Sequence, residues 1–412
     1  MAKRLEFYFD YSCPYAYLAS TRVERIARAT GAELSYEPFL LGGVFRALGS
    51  ETPDLLPMSP ARARINGLDM QRWAELFDVP LEMPATHPNR TVLALRATLA
   101  SGDVPRAAHA LFHAYWVDAT DLSDPEVVRR ALDAAGIDGA AAVDRANDDD
   151  IKTDLRRRTD VALERGVFGA PACFVDDRLY WGQDRLALVA EALGGDAALV
   201  DLIPAPAAPS PADAEVEFFF DFSSPFAYLA STQIEAVAAS VGARVVFRPF
   251  LLGALFRNIG TANVPMLGFS QVKQAWVGRD LGDHAARYRV PFQFPSSFPI
   301  RSVLPLRVAL AAGSELPRAM HALFRAAWCE DRDIAEPESL ARILRDAELS
   351  PELLTRASDP AVKQQLRDNT DRAEALGACG APTFVVDGHV FWGQDRLELV
   401  RRALLGWRPK AG

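Results

Sequence analysis

Residues 5–20 read LEFYFDYSCPYAYLAS, and residues 216–231 read VEFFFDFSSPFAYLAS. Each stretch opens with β-branched and aromatic residues, passes through an aspartate, and reaches a Cys-Pro or Ser-Pro pair ahead of an amphipathic run. That order predicts a strand, a tight turn and the start of a helix. Pro14 and Pro225 suit a first helical turn, because proline has no N–H to lose and its φ is already helical. Chemistry is expected at this turn. Backbone N–H groups at a helix start lack intrahelical partners, and the helix dipole places roughly half a positive charge there, an environment that suits a thiolate.

The rest of the chain follows the same duplication. Asp10 and Asp221 are 211 positions apart, as are Phe39 and Phe250, Asp69 and Asp280, Pro171 and Pro382, and Trp181 and Trp392. Between Arg96 and Arg106 the first copy is one residue shorter, and a compensating change before Arg145 restores the register. A repeat of this size is a whole domain and not a solenoid unit. The expected division is a first domain over 1–202, a Pro/Ala-rich linker over 203–215 and a second domain over 216–412.

Composition bounds the function. Of 412 residues, half are hydrophobic and 24% charged, which is ordinary for a globular chain. A formal charge of −9 leaves no electrostatic footprint for nucleic acid or an anionic membrane, so neither partner is expected. No apolar run reaches bilayer-spanning length, and the N-terminus lacks the pattern of a secretory signal, so a cytoplasmic location is the expectation. Cys13, Cys173, Cys329 and Cys379 have no C-x-x-C spacing, which argues against a disulfide framework or a zinc knuckle.

Within the first copy the patterns predict a strand (5–9), a helix (14–30), a strand (33–38) and a long helical block. Two short strands follow, joined by a turn at Asp176-Asp177, and then a closing helix from about Asp184 to Leu193. The order βαβ, helices, ββα describes an α/β fold: two tandem thioredoxin-like domains, each with a helical insertion.

Four motifs, each present twice in the same order, carry a family resemblance. They are FDFSSPFAYLA (FDYSCPYAYLA in the first copy), RPFLLGALF at Arg248 (EPFLLGGVF at Glu37), GAP at Gly169 and Gly380, and WGQDRL at Trp181 and Trp392. Both copies resemble the 2-hydroxychromene-2-carboxylate isomerases and kappa-class glutathione transferases, a DsbA-like branch of the thioredoxin superfamily. The resemblance implies that the residue before the motif proline, Cys13 or Ser224, contacts the sulfur of glutathione. It also implies that Pro171 and Pro382 are cis, so that Ala170 and Ala381 present a backbone edge to the tripeptide. Asp184 and Asp395, with Gln183 and Gln394 beside them, would take its ammonium group. A basic residue of the helical block, matched by Arg62 and Lys273, would complete the cofactor site. The superfamily's second cysteine, three residues after the first, is Ala16 or Ala227 here, so a dithiol-disulfide cycle is not expected. Arg90 and Arg301 stand where the family often has Asn, as do Ser50 and Thr261; these departures put the organic substrate in doubt more than the cofactor.

The expected activity is glutathione-dependent cis-trans isomerisation of a conjugated aromatic or chromene-type carboxylate, a small-molecule substrate, by reversible thiolate addition. Glutathione transfer or monothiol exchange at Cys13, and a non-catalytic binding module, remain open. Simpler readings of the same residues also stand: Ser224 as an N-cap, Cys13 as a buried inert thiol, the prolines as strand breakers, the aspartates as first-turn charges, Arg62 and Lys273 as solvated charges. His109 and His113 have the i, i+4 spacing of a metal pair, but the second copy has His321 with Arg325, and no metal is expected. Tyr180-Trp181 and Phe391-Trp392 read as core aromatics. Since the family forms dimers, the two copies are expected to make an intramolecular pseudo-dimer.

Overall fold

A computed structural model describes residues 3–49, 58–207, 211 and 213–410. Ser50 and parts of the linker lie outside them. In the first copy β1 (Arg4–Phe9) leads to α1 (Pro14–Thr30) and β2 (Glu33–Pro38). The helical block is α2 (Leu41–Ala47), α3 (Pro60–Leu76), α4 (Val92–Ala100), α5 (Val104–Trp116), α6 (Pro125–Ala134), α7 (Gly139–Arg145) and α8 (Asp149–Glu164). The hairpin β3 (Ala172–Val175) and β4 (Arg178–Trp181) precedes α9 (Leu186–Ala192). The closing helix starts later than the pattern suggested, because Gln183–Arg185 forms a 3₁₀ turn.

The second copy repeats this with β5 (Glu215–Phe220), α10 (Pro225–Ser231), α11 (Ile234–Ala239), β6 (Arg244–Pro249), α12 (Leu252–Asn258) and α13 (Gln271–Tyr288). Then come α14 (Val303–Ala311), α15 (Leu316–Trp328), α16 (Pro337–Asp346), α17 (Leu353–Arg356), α18 (Pro360–Ala375), β7 (Thr383–Val386), β8 (His389–Trp392) and α19 (Leu397–Leu404). One helix in the first copy is thus two in the second.

Each copy has a four-stranded sheet, ordered β2-β1-β3-β4 and β6-β5-β7-β8. The first two strands pair in parallel across the crossover helix; the hairpin adds antiparallel, with Tyr8 opposite Ala172 and Phe219 opposite Thr383. Phe7, Phe9, Tyr11 and Phe112 are fully or almost fully buried; Phe9, Tyr11 and Phe112 meet edge-on or tilted, and Phe7 stacks on Phe9. Burying such rings contributes on the order of 2–3 kcal/mol each. Among the described residues, no helix is long and apolar enough to cross a membrane.

The contacts divide the chain into two units, and the division is not a single cut. Residues 1–56 and 70–204 form one unit; residues 57–69 join 205–412 in the other. The first half of α3 therefore packs with the second copy.

Candidate active site

A buried carboxylate shapes the turn after each first strand. Asp10 Oδ1 accepts hydrogen bonds from Ser12 N (3.0 Å), Ser12 Oγ (2.9 Å) and Thr91 Oγ1 (2.8 Å), while Oδ2 accepts from Leu41 N (2.9 Å). In the second copy Asp221 accepts from Ser223 N and Leu252 N, both at 2.9 Å, and from Ser302. Burial raises both carboxyls above their usual range, and these donors pull the other way. One side chain thereby ties the turn to the starts of two helices. The motif contained both aspartates, but the signal for this role is only their place at the end of an apolar strand.

The next residues bring Ser224 and Cys13 to equivalent places. Ser224 is the N-cap of α10: its Oγ accepts from Ala227 N (3.1 Å) and donates to the carbonyl of Ala381 (2.9 Å). Cys13 caps α1 without a side-chain hydrogen bond to the helix, and its Sγ–H donates to the carbonyl of Ala170 at 3.0 Å. Ala170-Pro171 and Ala381-Pro382 are cis, as are His87-Pro88 and Phe298-Pro299. In each copy, then, the turn and the proline loop touch directly, 157 residues apart in sequence.

The remaining motif surrounds that contact. A Cβ on Gly380 would lie 2.6 Å from Trp392 Nε1, so only glycine lets the indole lie against this loop. Gly393, at φ +112°, would meet Asp395 Oδ1 at 2.5 Å if it carried a Cβ. Asp395 lies 2.9 Å from Arg396 Nη1, and Asp184 3.1 Å from Arg185 Nη1. The amide nitrogens of Gln183 and Gln394 are buried without an acceptor, the latter residue being only 2% exposed. Among the described residues the backbone N–H of Ala381 has none either. Tyr180 and Phe391 are core residues, but Trp181 and Trp392 are only half-buried, which corrects the reading of both pairs as core.

Arg62 departs from its expected place. It aligns with Lys273 and was assigned to the first copy, yet it groups with the second unit, its guanidinium 5.7 Å from the centre of the Trp392 ring. Its Nε is buried without an acceptor. Asp69, about two turns further along the same face of α3, accepts from Arg396 Nε (2.7 Å) and Nη2 (2.8 Å). Neither Asp69 nor Arg396 was picked out as part of a site. Burial pushes the nearby Cys379 thiol up to about 12, with Arg62 opposing. Lys273 lies on α13 with its Nζ 4.4 Å from the centre of the Phe269 ring. The histidines make local bonds: His109 Nε2 meets Glu24 at 2.8 Å and His113 Nδ1 meets Asp118 at 3.2 Å.

The second-unit cluster thus offers a serine hydroxyl, unpaired amide donors on Ala381 and Gln394, the half-buried carboxylate of Asp395 and an arginine. These groups suit a peptide-like ligand with carbonyl, carboxylate and ammonium groups. They offer no nucleophile of their own beyond Ser224.

The DSBA-like thioredoxin domain matches residues 4–194 and again residues 215–405. The 2-hydroxychromene-2-carboxylate isomerase of Sphingobium xenophagum is 31% identical over 190 residues, which are 45% of this chain and 95% of that protein. Glutathione S-transferase kappa 1 of Homo sapiens is 30% identical over 206 residues, 46% of this chain and 90% of that protein. A solved structure of selenomethionine 2-hydroxychromene-2-carboxylate isomerase is similar at 27% identity and a TM-score of 0.41, over 46% of this chain and 94% of that one. The chain belongs to the DSBA-like thioredoxin family, in the branch of the 2-hydroxychromene-2-carboxylate isomerases and kappa-class glutathione transferases, and carries that domain twice in tandem.

Proposed function

We propose that the chain is a glutathione-dependent isomerase of a conjugated aromatic or chromene-type carboxylate, with the second copy carrying the reaction. The observation that carries this reading is the contact of Ser224 Oγ with the Ala381 carbonyl, beside unpaired amide donors on Ala381 and Gln394. Glutathione, when bound, supplies a sulfur nucleophile that adds reversibly to a conjugated carbon. The protein's part is to bind, orient and place one proton. The Ser224 hydroxyl has one hydrogen and two lone pairs. It can turn its proton from Ala381 O to a ligand atom while a lone pair still takes the Ala227 N–H. Arg62 and the Gln394 amide suit a carboxylate or carbonyl, and Asp395 suits an ammonium group. This reading places the protein in cytoplasmic breakdown of aromatic compounds.

A second reading has its own observation: in the first copy a thiol occupies the place of the hydroxyl, 3.0 Å from the matching carbonyl. That would make Cys13 the centre of glutathione transfer or monothiol exchange. Turnover of 2-hydroxychromene-2-carboxylate with glutathione, followed by absorbance in Ser224→Ala and Cys13→Ser, separates the two. Loss in Ser224→Ala with activity retained in Cys13→Ser supports the isomerase in the second copy. The reverse ranking moves the chemistry to Cys13, and no glutathione binding by calorimetry in any form removes both.

A further inference from the structure

The first copy has an open cleft of about 690 Å³ where the start of α4 meets the loops before α6 and α8. That is within the size range of small-ligand sites. Arg90 and Arg96 line it, with Asn89, Val92, Leu93 and Asp121. Other arginines of this copy are paired with acids, among them Arg129 with Asp133, Arg158 with Asp154 and Arg165 with Glu6. Arg90 and Arg96 have no hydrogen bond or ion pair among the described residues, although acidic residues outnumber basic ones 54 to 45 in the chain. Arg96 Nε is a buried donor without an acceptor, and Asn89 Oδ1 a buried acceptor without a donor. Asp121, the acid in the cleft, uses Oδ1 to accept from Ser123 N at 2.8 Å. Two cations and one anion leave the cleft positive.

The arginine pair recurs at the same offset as Arg301 and Arg307, and Arg307 Nε is again buried without an acceptor. The polar lining recurs only in part: Ile300 and Ala335 replace Asn89 and Ser123, while Asp333 keeps the place of Asp121. The cleft is also tied to the Cys13 turn: Thr91, between Arg90 and α4, donates to Asp10 Oδ1 (2.8 Å), and the carbonyl of Asp10 accepts from Cys13 N (3.1 Å).

We infer that this cleft binds a small organic carboxylate. The guanidinium of Arg96, donor-only and always charged, holds the carboxylate from within, and Arg90 approaches from the surface. Val92 and Leu93 lie against the hydrocarbon body, and Asn89 Oδ1 takes the O–H of a ligand that has one, such as the enol form of a 2-oxo acid. Nothing in this site requires glutathione or Ser224, so it stands whether or not the proposed isomerisation does.

The test is calorimetry on the full chain without glutathione, with phenylpyruvate as the probe. One binding event per chain is expected in this cleft. Arg96→Gln should weaken it at least tenfold and Arg90→Gln several-fold, while Ser224→Ala, Cys13→Ser and the Arg301→Gln/Arg307→Gln double variant leave it within twofold. Methyl phenylpyruvate, which lacks the charge, should not bind. Arg90 is exposed, so its variant keeps the test valid should Arg96→Gln fail to fold. The inference fails if phenylpyruvate does not bind the wild-type chain at millimolar concentration, or if Arg90→Gln and every folded Arg96 variant bind as wild type. It also fails if the second-copy double variant abolishes binding, if the ester binds as tightly as the acid, or if inorganic phosphate competes at equal concentration.

Discussion

Ser224→Ala removes one oxygen atom on which two neighbours depend. The first loss is the N-cap bond to Ala227 N, for which an alanine replacement costs about 1 kcal/mol. The second is the donor to Ala381 O, a carbonyl on a residue only 7% exposed; leaving it unpaired costs roughly another 1 kcal/mol. Together these make about 2 kcal/mol, or a melting shift of roughly 4–8 °C for a unit of this size. Ser224→Cys recreates the first copy, where Cys13 keeps the carbonyl contact but makes no cap bond to the helix. It should recover about half of the lost stability. Differential scanning calorimetry on the full chain measures both variants, and hydrogen exchange in residues 215–231 assigns the change to the second unit. A shift under about 1 °C for Ser224→Ala would refute the two-bond account. If the proposed reaction is right, the same variant loses at least about tenfold in turnover, since a donor aimed at developing charge is worth more than that in many enzymes.

Asp69→Asn should destabilise the second unit by about 2 kcal/mol, because Arg396 loses an anion with which it shares two hydrogen bonds at a site where both side chains are 12% exposed, while Asp395 still offsets part of its charge. Hydrogen exchange should show faster opening in residues 389–396, and an effect confined to the first unit would contradict the packing of 57–69. Glu217 gives an acid-side prediction: burial pushes its carboxyl up, but hydrogen bonds from Arg372 and Arg248 outweigh this and hold it below its usual value. Its stabilisation is therefore present above the unfolded carboxyl's range, near pH 4.3, and is lost as pH falls through the folded value. Acid melts of Glu217→Gln should show a shallower loss of stability in that window than the wild type, and parallel curves would count against the assignment. Burial pushes the thiols of Cys173 and Cys379 up to about 12, so neither should react with a thiol-specific disulfide reagent at pH 8 before unfolding. Labelling of either in the native chain, read by mass spectrometry, would show that these sites open.

The strand-turn-helix start was legible because its signals are local. Alternation, the Asp, and a proline one residue after the cap all lie within about fifteen positions, and backbone sterics act over that range. The tandem organisation was legible for a similar reason, since a repeat at a constant offset needs no contact to detect. Arg62 was misplaced because alignment to Lys273 shows an equivalent position in a repeat, not which copy that position packs against. The tryptophans were read as core because alternation says that one strand face is buried, but not that each indole N–H edge packs on a glycine 12 residues earlier while the side chain as a whole stays half-buried.

From the sequence alone came two domains of one α/β kind, the turn that opens each helix, and the serine and cysteine that occupy it, because periodicity and capping are written in neighbouring residues. Only the tertiary structure decided that Ser224 meets a carbonyl 157 positions away, that Asp69 pairs with an arginine 327 positions away, and that Arg90 and Arg96 line one cleft with a single acid, Asp121. Such meetings depend on how helices pack, and side-chain packing over hundreds of residues leaves no spacing in the chain to read.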